Sequence, residues 1–144
     1  MARPDKLSII IHSGTFERAH YALAAAAAAA AIDMPATLFF TMGATGALLA
    51  PTADGAPGWA GLAVAERGGD ALAADAALRA RGIAGFEELL ESCAALGVRF
   101  LVCEMGLRAM ALESDALRED IQLGEGGLVT FLTDASGAGA MLFV

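Results

Sequence analysis

The chain has few of the residues that mark a function outright: among 144 residues there are two cysteines, two histidines, one tryptophan and nine basic side chains. Cys93 and Cys103 cannot build a disulfide framework, and no CxxC pairs them as a redox motif, so each is judged alone. His12 and His20 are separated and have no carboxylate at ligand spacing, so no metal site is expected. Against seventeen acidic residues the nine basic ones leave a net charge of −8. Such a surface, with a pI near 4.5, repels phosphate backbones and anionic lipid, and no basic stripe overrides it. Neither nucleic acid nor a membrane surface is an expected partner.

Long apolar runs are missing as well. The longest, Tyr21 to Ile32, is mostly alanine and stops at Asp33, short of the roughly 18 to 20 residues of a membrane helix. Leu7 to Ile11 is too short for a signal-peptide core and leads straight into His12-Ser13-Gly14, which places the protein in the cytoplasm by expectation. GxGxxG and GxxxxGK[ST] are absent, so dinucleotide and Walker-type phosphate binding lose their specific support and no cofactor is expected. Ser13 has no GxSxG elbow around it, which removes the usual setting of a hydrolase nucleophile.

What is present is apolar: 57% of residues are hydrophobic and 18% charged, which excludes intrinsic disorder. The length fits one domain, residues 1–144. Much of the apolar share is alanine, which favours helix but buries little area, so few large residues must hold the core. A subunit interface would supply the rest, and a homo-oligomer is expected.

Leu7 to Ile11 reads as a buried strand, followed after Thr15 by a helix to about Ile32. Ala36 to Thr41 is a second strand, and Gly43 opens a short helix through Leu48 and Leu49. From about 50 to 85 the Gly- and Pro-rich composition reads as a loop-helix insertion, with Asp70 capping a helix over Ala71 to Arg81. It is a lid, an interface arm or a mobile segment, and Trp59 within it is either loop packing or an interface anchor. Phe86, Leu89, Leu90, Cys93 and Leu96 lie on one helical face, with Gly97 as C-terminal cap. Val98 to Val102 is a third strand, ending at Cys103, and Glu104 to Met110 has helical composition. Asp120 to Leu123 is a candidate short strand; Leu128, Phe131 and Leu132 favour a helix before a terminal strand, Met141 to Val144. Strands alternating with helices predict an α/β fold with a parallel sheet covered on both faces.

Ligands of such sheets collect outside the carboxyl ends of the strands, here His12-Ser13-Gly14, Thr41-Met42-Gly43 and Cys103-Glu104-Met105. Cys103 has the most plausible reactive setting, because the amides of a following helix stabilise a thiolate, although Glu104 places a negative charge beside it. The alternative is a small buried residue closing a strand. Cys93 reads as core, and Met105 and Met110 read as core filler. His12 and His20 read as structural more readily than as acid, base or thiolate partner. Ser13-Gly14 resembles a fragment of an anion-binding turn.

Lys6 to Gly14, His20-Tyr21-Ala22-Leu23, Ala36 to Thr41, Phe86 to Leu90, and above all Gly97-Val98-Arg99-Phe100-Leu101-Val102-Cys103-Glu104-Met105-Gly106 together resemble the DsrE/DsrF-like family. The resemblance covers Lys6 to Leu49 and Phe86 to Val144; the segment between has no counterpart. It implies a three-layer α/β/α domain with a parallel five-stranded sheet, trimeric or hexameric assembly of related chains, and handling of sulfane sulfur. On that reading Cys103 occupies the position that carries a persulfide, with Ser13, Gly14, Thr41, Glu104 and Met105 lining the site. Sulfur donor and acceptor proteins are then the partners. The competing expectation is a non-catalytic oligomeric module that binds a small anion or a protein and keeps Cys103 inert. A thiol peroxidase ranks last, since a resolving cysteine is needed and Cys93 reads as core.

Overall fold

Three apolar pentads, Leu7–Ile11 (β1), Ala36–Phe40 (β2) and Arg99–Cys103 (β3), sit side by side in the computed structural model, which describes residues 2–144. Leu123–Gly126 (β4) joins β3 and Ala140–Phe143 (β5) joins β1, giving one five-stranded sheet in the order β4-β3-β2-β1-β5 with every pair parallel. β2 is central and all five of its residues are buried, which is why it reads as an unbroken apolar run and not as an alternating one.

The order of the strands dictates the layers. From β1 to β4 the chain steps across the sheet in one direction, so right-handed crossovers keep Phe16–Ala31 (α1) and Phe86–Ala95 (α3) on one face. β5 lies on the far side of β1, so the last crossover runs the other way and carries Leu128–Asp134 (α5) onto the opposite face. The result is a three-layer α/β/α domain with unequal outer layers. Ile9, Ile11, Leu38, Phe40, Phe100 and Val102 meet α1 and α3 in the larger core, while Phe39, Leu101 and Cys103, with the half-buried Ile10, meet Phe131 of α5.

Alanine allows the larger core to close. Ala19, Ala22, Ala26 and Ala29 form the buried stripe of α1 with Phe16, His20 and Leu23, so this helix lies close to the sheet and to α3. His20 is structural: its Nε2 lies 2.8 Å from the Ala84 carbonyl. Cys93 faces the same core, where its thiol donates to the Leu23 carbonyl at 3.4 Å.

The 50–85 segment is packed down. Trp59 is buried and stacks on Phe86 with ring centroids 5.1 Å apart, with Phe16 at 6.0 Å. Asp70 caps Ala71–Ala80 (α2) by accepting the Ala73 amide at 2.7 Å. Asp75, buried within α2, accepts both Arg79 Nε at 3.0 Å and the Phe86 amide at 2.6 Å, which fixes the start of α3. Loop packing is therefore the role of Trp59 within the chain.

Several local expectations shift. Met42–Leu48 is the short helix expected from Gly43, but of 3-10 form and entered one residue earlier, through Met42 at φ +47°. Thr15 stands at the N-cap of α1, but its hydroxyl bonds Ser13 Oγ at 2.8 Å instead of capping. The fourth strand begins at Leu123, where expectation ended it, because Asp120 is held in an ion pair with Arg118. Gly124-Glu125-Gly126 is a strand by pairing on β3 and not by propensity. Leu96, Leu128 and Leu132 are exposed, so the buried faces of α3 and α5 are narrower than their apolar stripes, and Met105 and Met110 are exposed and not core filler. Among the described residues no helix is long and apolar enough to cross a membrane.

Candidate functional site

The chain leaves β3 toward the larger core, where Leu107, Leu112 and Leu117 are packed, but leaves β4 toward α5 on the other face. Adjacent strands whose connections part to opposite faces open a crevice at their carboxyl ends. Cys103 pairs with Gly126 at that point. It is also the N-cap of Glu104–Ala109 (α4), and its Sγ accepts the Gly106 amide at 3.4 Å.

Glycine lets the neighbouring loops meet around it. A Cβ at position 106 would stand 2.6 Å from the Met42 nitrogen and 2.8 Å from Thr41 Oγ1. One at position 43 would stand 3.0 Å from the Gly14 Cα, so the loops after β1, β2 and β3 form one continuous edge. On the other side, a Cβ at Gly126 would meet Thr130 Oγ1 at 2.6 Å, so glycine also permits α5 to lie against the end of β4.

The residues expected at the site fall in three groups. Cys103, Thr41 and Gly14 are linked along this edge through Gly106 and Gly43. Glu104 and Met105 are on the first turn of α4 and are exposed. Ser13 is turned into its own loop: its Oγ accepts the Thr15 amide at 3.3 Å, and its amide donates to the Val144 carbonyl at 3.3 Å. His12 is exposed on β1's end with its ring 5.6 Å from Phe143, two strands from Cys103 and hence about 10 Å away.

The two cysteines have opposite hydrogen-bond polarity. Cys93 donates to a carbonyl, and burial pushes its thiol up to about 11, so it stays protonated. Cys103 accepts from an amide, the partner a sulfur anion keeps. Its side chain is nevertheless only 1% exposed, because Phe131 packs on it and stacks on Phe39 at 5.1 Å. The 50–85 insertion does not provide that cover; its buried Trp59 and Leu62 belong to the other face's core.

Sequence reasoning missed the groups that hold this cover in place. Asp134, one turn beyond Phe131, accepts Lys6 Nζ at 2.7 Å and Thr37 Oγ1 at 2.6 Å, and pairs with Arg99. Burial pushes its carboxyl up, but the hydrogen bonds from Lys6, Thr37 and Arg99 outweigh this and hold it below the usual range. The i, i+3 spacing of Phe131 and Asp134 was the available signal. Among the described residues no group of three or more His, Cys, Asp or Glu side chains is placed to hold a metal ion. No protein-family model matches the chain and no curated protein matches it, so the resemblance to the DsrE/DsrF-like family rests on the residues that carry it.

Proposed function

We propose that the chain is a cytoplasmic sulfur carrier of DsrE/DsrF-like type that holds sulfane sulfur on Cys103. The observation that carries the reading is the position of Cys103 at the parting of the β3 and β4 connections, with the Gly106 amide directed at its sulfur. In the transfer, the Cys103 thiolate attacks the outer sulfur of a donor persulfide, R–S–SH. The donor S–S bond breaks, RS⁻ leaves with the electron pair, and Cys103–S–SH forms with the proton retained on the outer sulfur. An acceptor thiolate then attacks that sulfur and Cys103 leaves as thiolate, so no outside oxidant or reductant is consumed. Gly14, Glu104 and Met105 lie at the accessible part of this edge with Thr41 buried behind them, and donor and acceptor proteins dock there.

Assembly into a homo-oligomer belongs to the same reading. Met141, Leu142 and Phe143 on the edge strand β5 are exposed apolar side chains, a surface that subunit packing would cover while leaving α5 free. Sedimentation velocity is expected to give a trimer or hexamer at micromolar concentration; monomer alone removes this part of the proposal.

One observation favours the competing reading, an inert thiol in a binding module: the burial of Cys103. Intact-mass analysis after incubation with a low-molecular-weight persulfide separates the two. Wild type and Cys93→Ser are expected to gain about 32 Da, one sulfur atom, reversed by reductant, and Cys103→Ser to gain none. No gain in any folded variant overturns the carrier reading.

A further inference from the structure

We infer that α5 is a lid over Cys103: it pivots about Asp134, lifts Phe131 from the thiol, and opens the site without disturbing the main core. The inference deepens the carrier reading by naming how its site is reached. Phe131 is the only fully buried side chain of this seven-residue helix, and Val129 on its outer side is 79% exposed. Phe131 packs on Phe39, Leu101 and Cys103, a cluster separate from the core built by α1 and α3. Removing that one ring therefore uncovers the thiol while leaving the larger core intact.

The two ends of the helix are held unequally. At the carboxyl end Asp134 is fastened to Lys6 of the segment before β1, Thr37 of β2 and Arg99 of β3. At the amino end Gly126 stays paired with Cys103 in the sheet, the chain turns into the helix at Gly127, and the side-chain bond there is internal to the segment, from the Gly127 amide to Thr130 Oγ1 at 3.4 Å. No side chain outside the segment grips that end by a hydrogen bond among the described residues. A short helix clamped at the Asp134 end, joined to the sheet through Gly127 at the other and anchored by one ring has the makings of a local opening unit.

Cys93 makes the test self-controlled, since it is buried in the other core and becomes reactive only when that core opens. Both thiols of the full chain are alkylated with iodoacetamide across a urea series below the unfolding midpoint. Each rate, read by peptide mass, is divided by that of the same cysteine in the unfolded chain. Cys103 is expected to react at least 100-fold faster than Cys93 on this scale, with a nearly flat urea dependence. Amides of 128–131 are expected to exchange with hydrogen on the same flat slope, while those of α3 follow the steep one. Phe131→Ala is expected to raise the Cys103 rate at least tenfold and leave Cys93 unchanged. Equal scaled rates and equal urea slopes for the two cysteines in wild type overturn the lid, and so does flat-slope Cys103 reactivity without exchange in 128–131. Should Phe131→Ala not fold, the wild-type slopes decide alone. Fast alkylation of Cys103 with no persulfide uptake keeps the lid and removes the carrier reading, so the two fail separately.

Discussion

Gly106→Ala is expected to lower the unfolding free energy by about 2 kcal/mol, while Gly46→Ala leaves it unchanged or raises it slightly. Both glycines lie in short helices, and alanine is better there by about 1 kcal/mol on propensity alone. A Cβ at Gly46 meets nothing within 4 Å. At Gly106 it meets the Met42 nitrogen at 2.6 Å and the Thr41 Cα at 3.0 Å, and backbone atoms cannot rotate aside as a side-chain tip would. Met42 is already in the left-handed region at φ +47°, so it has little freedom to retreat. Gly43 of the same loop packs so closely on Gly14 that a Cβ there would stand 3.0 Å from the Gly14 Cα, which leaves the β2 loop little room on that side. Overpacking of this kind costs up to about 3 kcal/mol, which outweighs the propensity gain. Urea midpoints of the two variants measure the contrast. Since the Gly106 amide is the hydrogen-bond partner of Cys103, persulfide uptake should fall in folded Gly106→Ala and persist in Gly46→Ala. Equal midpoints for the two variants would mean that the three loops are not locked together.

The strands, the long helices and the parallel sheet were legible because each rests on several residues that agree. β1, β2 and β3 are β-branched or aromatic runs between turn residues, and α1 and α3 show helical spacing with recognisable ends. β4 was misplaced because its Leu-Gly-Glu-Gly sequence has no preference for strand and is placed by its neighbour. The apolar stripes of α3 and α5 are wider in sequence than the faces that are buried, because periodicity says which residues share a face, not how much of that face the rest of the chain covers. For the candidate site, the position of Cys103 followed from the strand-to-helix junction. The ring that covers it did not, because Phe131 arrives through a crossover whose face depends on where β5 enters the sheet. Long-range ion pairs are equally silent in sequence: Arg118 and Glu87 are 31 residues apart and neither lies in a motif.

Arg118→Met is expected to cost about 2 kcal/mol at pH 7, and the cost should shrink as the pH falls toward 3. Arg118 is buried, yet it donates twice to Asp120, each bond at 2.7 Å, and to Glu87 Oε2 at 3.1 Å. The same Glu87 oxygen accepts the Trp59 indole N–H at 2.9 Å, and the Arg118 amide donates to the Leu48 carbonyl at 2.9 Å. One guanidinium thus ties the 50–85 segment, α3 and the turn before β4. Methionine keeps most of the stem's volume, so the change isolates the charge. Glu87 and Asp120 side chains are 38% and 64% exposed, so water resolvates them and the loss stays below the several kcal/mol of a fully buried pair. Hydrogen bonding to Arg118 holds both carboxyls below their usual range against the opposing effect of burial. Groups with depressed folded-state values stabilise the protein above their unfolded values, about 4, and lose that contribution as the pH drops through the folded ones. In Arg118→Met both carboxyls return toward ordinary values, so the variant has less to lose in acid and the two stability curves converge. Trp59, the only tryptophan, reports on the same contact, and its emission should change in the folded variant as its Glu87 acceptor loses its anchor. A stability gap that stays constant from pH 7 to pH 3, with unchanged emission, would assign the role of Arg118 to the packing of its stem and not to the two carboxylates.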